Sequence, residues 1–92
     1  MIVFTATNQA TREIYVGSAR DSMEEHWARL IVLADEGGSG EFLEMIREYG
    51  ADQINIAMWA YADSSAESRE MVRKACEETG AKLIKTGRAP AP

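Results

Sequence analysis

The 92-residue chain predicts an α+β domain with elements in the order β-β-α-α-β-α, a small three-stranded antiparallel sheet flanked by helices. Three features carry that expectation. Two β-branched and aromatic stretches stand near the start with a short polar gap between them. Two Ser-x-x-Glu signatures each precede apolar residues at helical spacing. Between the helical segments lies one run of strand periodicity, Gln53 to Tyr61, reading QINIAMWAY.

The elements follow in order. Met1 to Thr7 and Thr11 to Gly17 form a hairpin around Asn8-Gln9-Ala10. Ser22 and Glu25 make a capping box for a first helix, whose apolar positions Met23, Trp27, Ile31 and Ala34 recur at helical spacing until Gly37-Gly38 stops it. A second helix opens at Ser39 or Gly40, turns Phe42, Leu43, Met45, Ile46 and Tyr49 to its apolar side, and ends at Gly50. In the third strand Ile54, Ile56, Met58 and Ala60 alternate with Asn55, Ala57, Trp59 and Tyr61. With both sets largely apolar, a central or well-buried strand is expected. Ser64 and Glu67 cap a third helix with Met71, Val72, Ala75 and Cys76 on its buried stripe, and Gly80 ends it. Lys82 to Lys85 is a candidate for a short edge strand. The domain is expected to span residues 1 to 85, with the Ala/Pro tail from Thr86 to Pro92 disordered because it has nothing to bury.

Bulk properties narrow the function. At 46% hydrophobic residues the chain supports one core and one domain. Ten Lys and Arg against fifteen Asp and Glu leave a net charge of −5, which disfavours tight, non-specific binding to nucleic acid. The acids gather on the first two helices, where Glu24, Glu25, Asp35, Glu36, Glu41, Glu44, Glu48 and Asp52 outnumber Arg29 and Arg47. Arg69, Arg73 and Lys74 on the third helix form the basic cluster best placed for a phosphate, although the same residues suit a solvated helix face. A single cysteine, Cys76, has no disulfide partner and suits a reducing, cytoplasmic setting. The longest apolar run, Leu30 to Ala34, is too short to span a membrane, so no membrane partner is expected.

The order of elements, with Tyr15-Val16-Gly17 followed by Ser18-Ala19-Arg20-Asp21, resembles the GIY-YIG superfamily of nucleases. Asn8 in the turn and the later stretch Ile46-Arg47-Glu48-Tyr49-Gly50 fit the same pattern, while Ile2-Val3-Phe4 occupies the first triplet without matching its letters. The resemblance implies a phosphodiesterase site with one divalent metal, Mg²⁺ or Mn²⁺, held by a glutamate on the third helix. An aromatic hydroxyl acts on the attacking water and an arginine on the first helix stabilises the phosphate. Carried onto this chain, the metal position falls on Glu70 and the second-motif tyrosine on Tyr15. Phe4 stands in the first tyrosine position and has no hydroxyl. His26 stands in the arginine position and Leu30 in the histidine position. A histidine is mostly neutral at pH 7 and lacks the guanidinium fork. Arg20 is the better substitute cation, because Arg29, three positions beyond His26, is turned roughly 60° from it around the helix. The asparagine that the resemblance implies near the C-terminal end is absent from Lys82 to Gly87.

Of the implied tyrosine, arginine, histidine, glutamate and asparagine, the glutamate alone is matched. Glu70 also reads as an ordinary helix residue paired with Lys74 four positions on. Loss of one electrostatic stabiliser commonly costs on the order of 10²–10³ in rate, so loss of several together predicts no ordinary nuclease activity and no required cofactor. The expected function is that of a catalytically degenerate domain working through protein contacts, by self-association or as an adaptor, with Leu30 and Leu33 as interaction residues. Two alternatives stay open: a metal-dependent DNA endonuclease using Tyr15, Arg20, His26 and Glu70, and a nucleic-acid-binding module that does not cleave.

Overall fold

A computed structural model describes residues 1–87. Strand β1 (Ile2–Asn8) and strand β2 (Ile14–Ala19) form an antiparallel hairpin, pairing Ile2 with Ala19 through Thr7 with Ile14. The turn runs from Gln9 to Glu13, longer than the expected Asn8-Gln9-Ala10. Its geometry comes from Asn8, whose side-chain oxygen accepts from the amides of Ala10 (2.9 Å) and Thr11 (3.3 Å), and from Arg12, which takes φ 69°. Asn8 is fully buried, and its Nδ2 has no hydrogen-bond partner among the described residues.

Helix α1 (Met23–Asp35) starts where the capping box places it, with the Ser22 hydroxyl accepting from the Glu25 amide at 3.2 Å. Helix α2 (Glu41–Tyr49) is preceded by Gly40 at φ 119°, where a Cβ would come within 2.3 Å of the Lys85 carbonyl oxygen. A 3₁₀ turn, Ala51–Gln53, leads into strand β3 (Ile54–Tyr61). Helix α3 (Ser65–Thr79) is capped by the Ser64 hydroxyl, which accepts from the Glu67 amide at 3.1 Å, while the Glu67 carboxylate accepts from the Asp63 amide. The last strand, β4 (Lys82–Leu83), is shorter than the Lys82–Lys85 segment expected and lies parallel to β2. The sheet therefore has four strands, in the order β3-β1-β2-β4. Beyond β4 the chain crosses to the α1–α2 connection, where Gly87 exchanges two backbone hydrogen bonds with Ser39 (2.9 and 3.0 Å). The rest of the tail, Arg88 to Pro92, lies outside the described residues.

Two apolar layers sandwich the sheet. Phe4, Ala6, Tyr15 and Ala19 meet Leu30, Ala34, Phe42, Leu43, Met45 and Ile46 from α1 and α2. Val3 and Val16 meet Ala75 of α3, with Trp59, Met71, Val72 and Cys76 around them. Strands β1 and β2 are thus covered on both faces. Strand β3, expected to be central or well buried, is instead an edge strand paired to β1 alone, with Met58 61% and Tyr61 62% exposed. Its register shifts at Trp59, because Val3 pairs with Ala60 and Phe4 with Met58, leaving Trp59 as the extra residue of a β-bulge. The bulge turns Trp59 and Ala60 both toward the α3 layer.

Leu30 is also corrected. It is 5% exposed and part of the core, Leu33 is half-buried, and the apolar side chain that α1 offers to solvent is Val32 at 53%. Arg47, counted among surface cations in the sequence, donates to the carbonyls of Ala34 (3.0 Å) and Gly38 (2.9 Å) and so closes the C-terminal end of α1.

Two stability outcomes follow. Leu30→Ala should cost about 2–5 kcal/mol in urea denaturation, against less than about 0.5 kcal/mol for Val32→Ala. Gly17 pairs with Phe4, and a Cβ there would meet the Phe4 ring at 2.9 Å and the Ile84 Cδ1 at 3.0 Å. Gly17→Ala should therefore cost about 1–3 kcal/mol by overpacking, with part recovered when Phe4→Leu is added.

Candidate functional site

The end of β2 and the first turns of α1 border a cleft of about 510 Å³ lined by Met1, Ser18, Arg20, Asp21, His26 and Arg29. Local sequence explains its shape. β2 ends at Ala19, the Arg20-Asp21 step carries the chain to the Ser22 cap, and His26 lies one turn into the helix it starts. Arg20 and His26 are brought together as the sequence suggested. Arg29 joins them, contrary to the preference for Arg20 alone: residues three apart on a helix share a face, so its 60° offset from His26 brings it in rather than out. Neither Arg20 nor Arg29 is ion-paired among the described residues.

Behind the cleft, His26 packs edge-on to Phe4, with ring centroids 5.5 Å apart and planes at 64°. Partial burial, and secondarily the charge of Arg29, hold its imidazole pKa below the usual 6.5. It is therefore predominantly a neutral ring at pH 7. The side chains at the first-tyrosine and arginine positions of the resemblance thus form a contact with each other. Leu30, at the histidine position, is buried in the core one turn further on.

The other two residues stand elsewhere. Tyr15 is 2% exposed, packs edge-on to Phe42 at 5.1 Å, and borders a small cavity of about 160 Å³ with Glu13, Glu41, Glu44 and Glu48. Burial, then Glu41 and Glu13, push its hydroxyl pKa up, so it stays a protonated phenol in acidic surroundings. Glu70 lies on the exposed side of α3, and the guanidinium of Arg73 bonds both of its carboxylate oxygens. That hydrogen bond lowers the Glu70 pKa. Its partner is Arg73 at i+3 and not the Lys74 expected at i+4. Neither Tyr15 nor Glu70 borders the cleft of Arg20, His26 and Arg29.

A hard divalent cation takes about six oxygen ligands and needs carboxylate lone pairs free to face it. Glu70 has both oxygens committed to Arg73, and among the described residues no group of three His, Cys, Asp or Glu is positioned to hold a metal ion. A single carboxylate completed by water is the donor set that the resemblance implies for Mg²⁺ or Mn²⁺, and Glu70, the residue that would supply it, is paired with Arg73.

On the α3 side of the sheet a second cleft, about 580 Å³, is lined by Ser18, Ser68, Arg69, Val72, Arg73, Cys76, Glu77 and Leu83. Arg73 there is also bonded to Glu77, so the basic cluster seen in the sequence is partly neutralised by its own helix. Among the described residues, no helix is long and apolar enough to cross a membrane.

A hairpin, two helices, an edge strand, a helix on the opposite face and a short parallel strand make a GIY-YIG-like α+β fold. Among solved structures it is similar to the catalytic domain of the homing endonuclease I-TevI, at TM-score 0.74 over 90% of this chain and 96% of that one, with 16% sequence identity. No family model matches the chain, and no curated protein matches it.

The neutral state of His26 has a consequence for stability. Its folded pKa lies below 6.5, so the unfolded chain takes up the proton first, and the stability present above that pH is lost as pH falls through the folded value. Between about pH 7.5 and 5.5 the urea midpoint of wild type should drop further than that of His26→Gln. Equal drops would show that the imidazole titrates alike in both states.

Proposed function

We propose that this domain is a catalytically silent member of the nuclease fold class that acts through protein contacts. The observation that carries the reading is the Phe4–His26 pair. Where the resemblance calls for a hydroxyl and a guanidinium, the chain has two rings in edge-on contact. A phenyl ring holds no proton, and a neutral imidazole offers a phosphate no net charge. Glu70 in its bond with Arg73 and Tyr15 among acids support the same reading, since neither faces the cleft. Exposed Met58 and Tyr61 on an open sheet edge supply apolar surface for a contact. The reading includes a cytoplasmic setting, in keeping with the free thiol of Cys76.

A second reading, nucleic-acid binding without cleavage, has one observation in its favour. Arg20 and Arg29 line the cleft with no carboxylate ion-paired to them among the described residues. The net charge of −5 opposes it.

The deciding experiment is a cleavage assay on plasmid, branched and single-stranded DNA with Mg²⁺ or Mn²⁺, comparing wild type with Glu70→Ala. No metal-dependent product from either protein is expected. A cut made by wild type and lost in Glu70→Ala would overturn the reading in favour of an endonuclease. DNA retention that weakens steeply with salt and is lost in Arg20→Ala/Arg29→Ala, without cleavage, would favour the second reading.

A further inference from the structure

The edge of β3 is the largest unfinished feature of the fold. Its eight residues, Ile54–Tyr61, pair on one side with β1 and on the other with nothing among the described residues. Edge strands are usually guarded by a lysine, a proline or an inward charge, because a bare row of amides and carbonyls is a template for another strand. From Gln53 to Ala62 the chain has neither charge nor proline. The Trp59 bulge is the only such interruption in the strand, which leaves Ile54 to Met58 in unbroken register with β1. Met58 and Tyr61 oppose Phe4 and Ile2 on β1, so both stand on the α1/α2 face, and both are more than half exposed.

We propose that a second copy of this chain pairs antiparallel along β3, joining two four-stranded sheets into one continuous sheet. The inference rests on the protein-contact reading and names its partner. Charge selects the occupant. The chain carries −5, and its acids are concentrated on α1 and α2, so a basic partner is drawn to those helices and away from the neutral strand. Self-pairing sets one uncharged edge against another, and an antiparallel strand is self-complementary about a two-fold axis. Strand pairing alone falls below the roughly 800 Å² per partner of a standard interface, so the exposed Met58 and Tyr61 complete the contact and the dimer is weak and reversible. Screening by salt offsets the repulsion of two acidic copies and shifts the balance toward dimer.

Sedimentation equilibrium over a range of concentrations tests this. The weight-average mass of wild type should rise from 10.2 kDa toward twice that value, and more so at high salt. Ala57 is exposed near the middle of β3, so in a two-fold pairing its counterpart lies close by. Ala57→Lys and Ala57→Glu should each sediment as monomers with unchanged far-UV circular dichroism, and an equimolar mixture of the two should recover the dimer. A wild type that stays at monomer mass throughout, or a dimer that survives both substitutions, overturns the proposal. Neither result depends on DNA cleavage, so failure here is distinct from failure of the silent-nuclease reading.

Discussion

The fold depends on a phenyl ring lying across a glycine. Phe4 is on a strand buried on both faces, opposite Gly17 of β2, and the missing Cβ lets its ring reach under α1 to His26. A side chain at position 17 would force the ring aside, and the α1/α2 layer with it. The glycine of the YVG triplet therefore has a packing duty independent of catalysis. The ring it admits removes a hydroxyl from the cleft and at the same time anchors the helix that borders it.

That arrangement divides the polar residues of the domain among separate neighbourhoods. The cations Arg20 and Arg29 flank a neutral His26 at one end of the sheet. Tyr15, only five residues before Arg20 but on the strand's inner face, sits instead among the glutamates around α2. Glu70 is on the far layer, its charge spent on Arg73. An exposed pair of this kind contributes little to stability, yet it sets the protonation and the direction of the carboxylate. Arg20 and Arg29 thus line one cleft, Tyr15 borders another, and Glu70 is turned to Arg73.

Local signals in the sequence were legible, and non-local ones were not. Both Ser caps and the glycine stops act within a few residues, so Ser22, Ser64, Gly50 and Gly80 mark the helix ends as read. The centrality of β3 was misjudged because alternation reports what covers a strand's faces and says nothing of its edges. The bulge at Trp59 then breaks the alternation itself. Leu30 sits at a boundary of the helix stripe where only the placement of α2 decides burial. Arg47 reads as a solvated cation until the end of α1 is found beside it. Arg29 was discoverable, since an offset of three residues is a shared face on any α-helix.

The bridge between Ser39 and Gly87 bears on how the domain reaches this form. The Lys85 carbonyl has room only because Gly40 has no side chain there, and Ser39 completes its hydrogen bonds on Gly87. The connection between α1 and α2 is thereby finished by residues far along the chain. On a ribosome both helices emerge before Lys85 and Gly87, so the contacts that complete their connection form only after the rest of the domain has been synthesised.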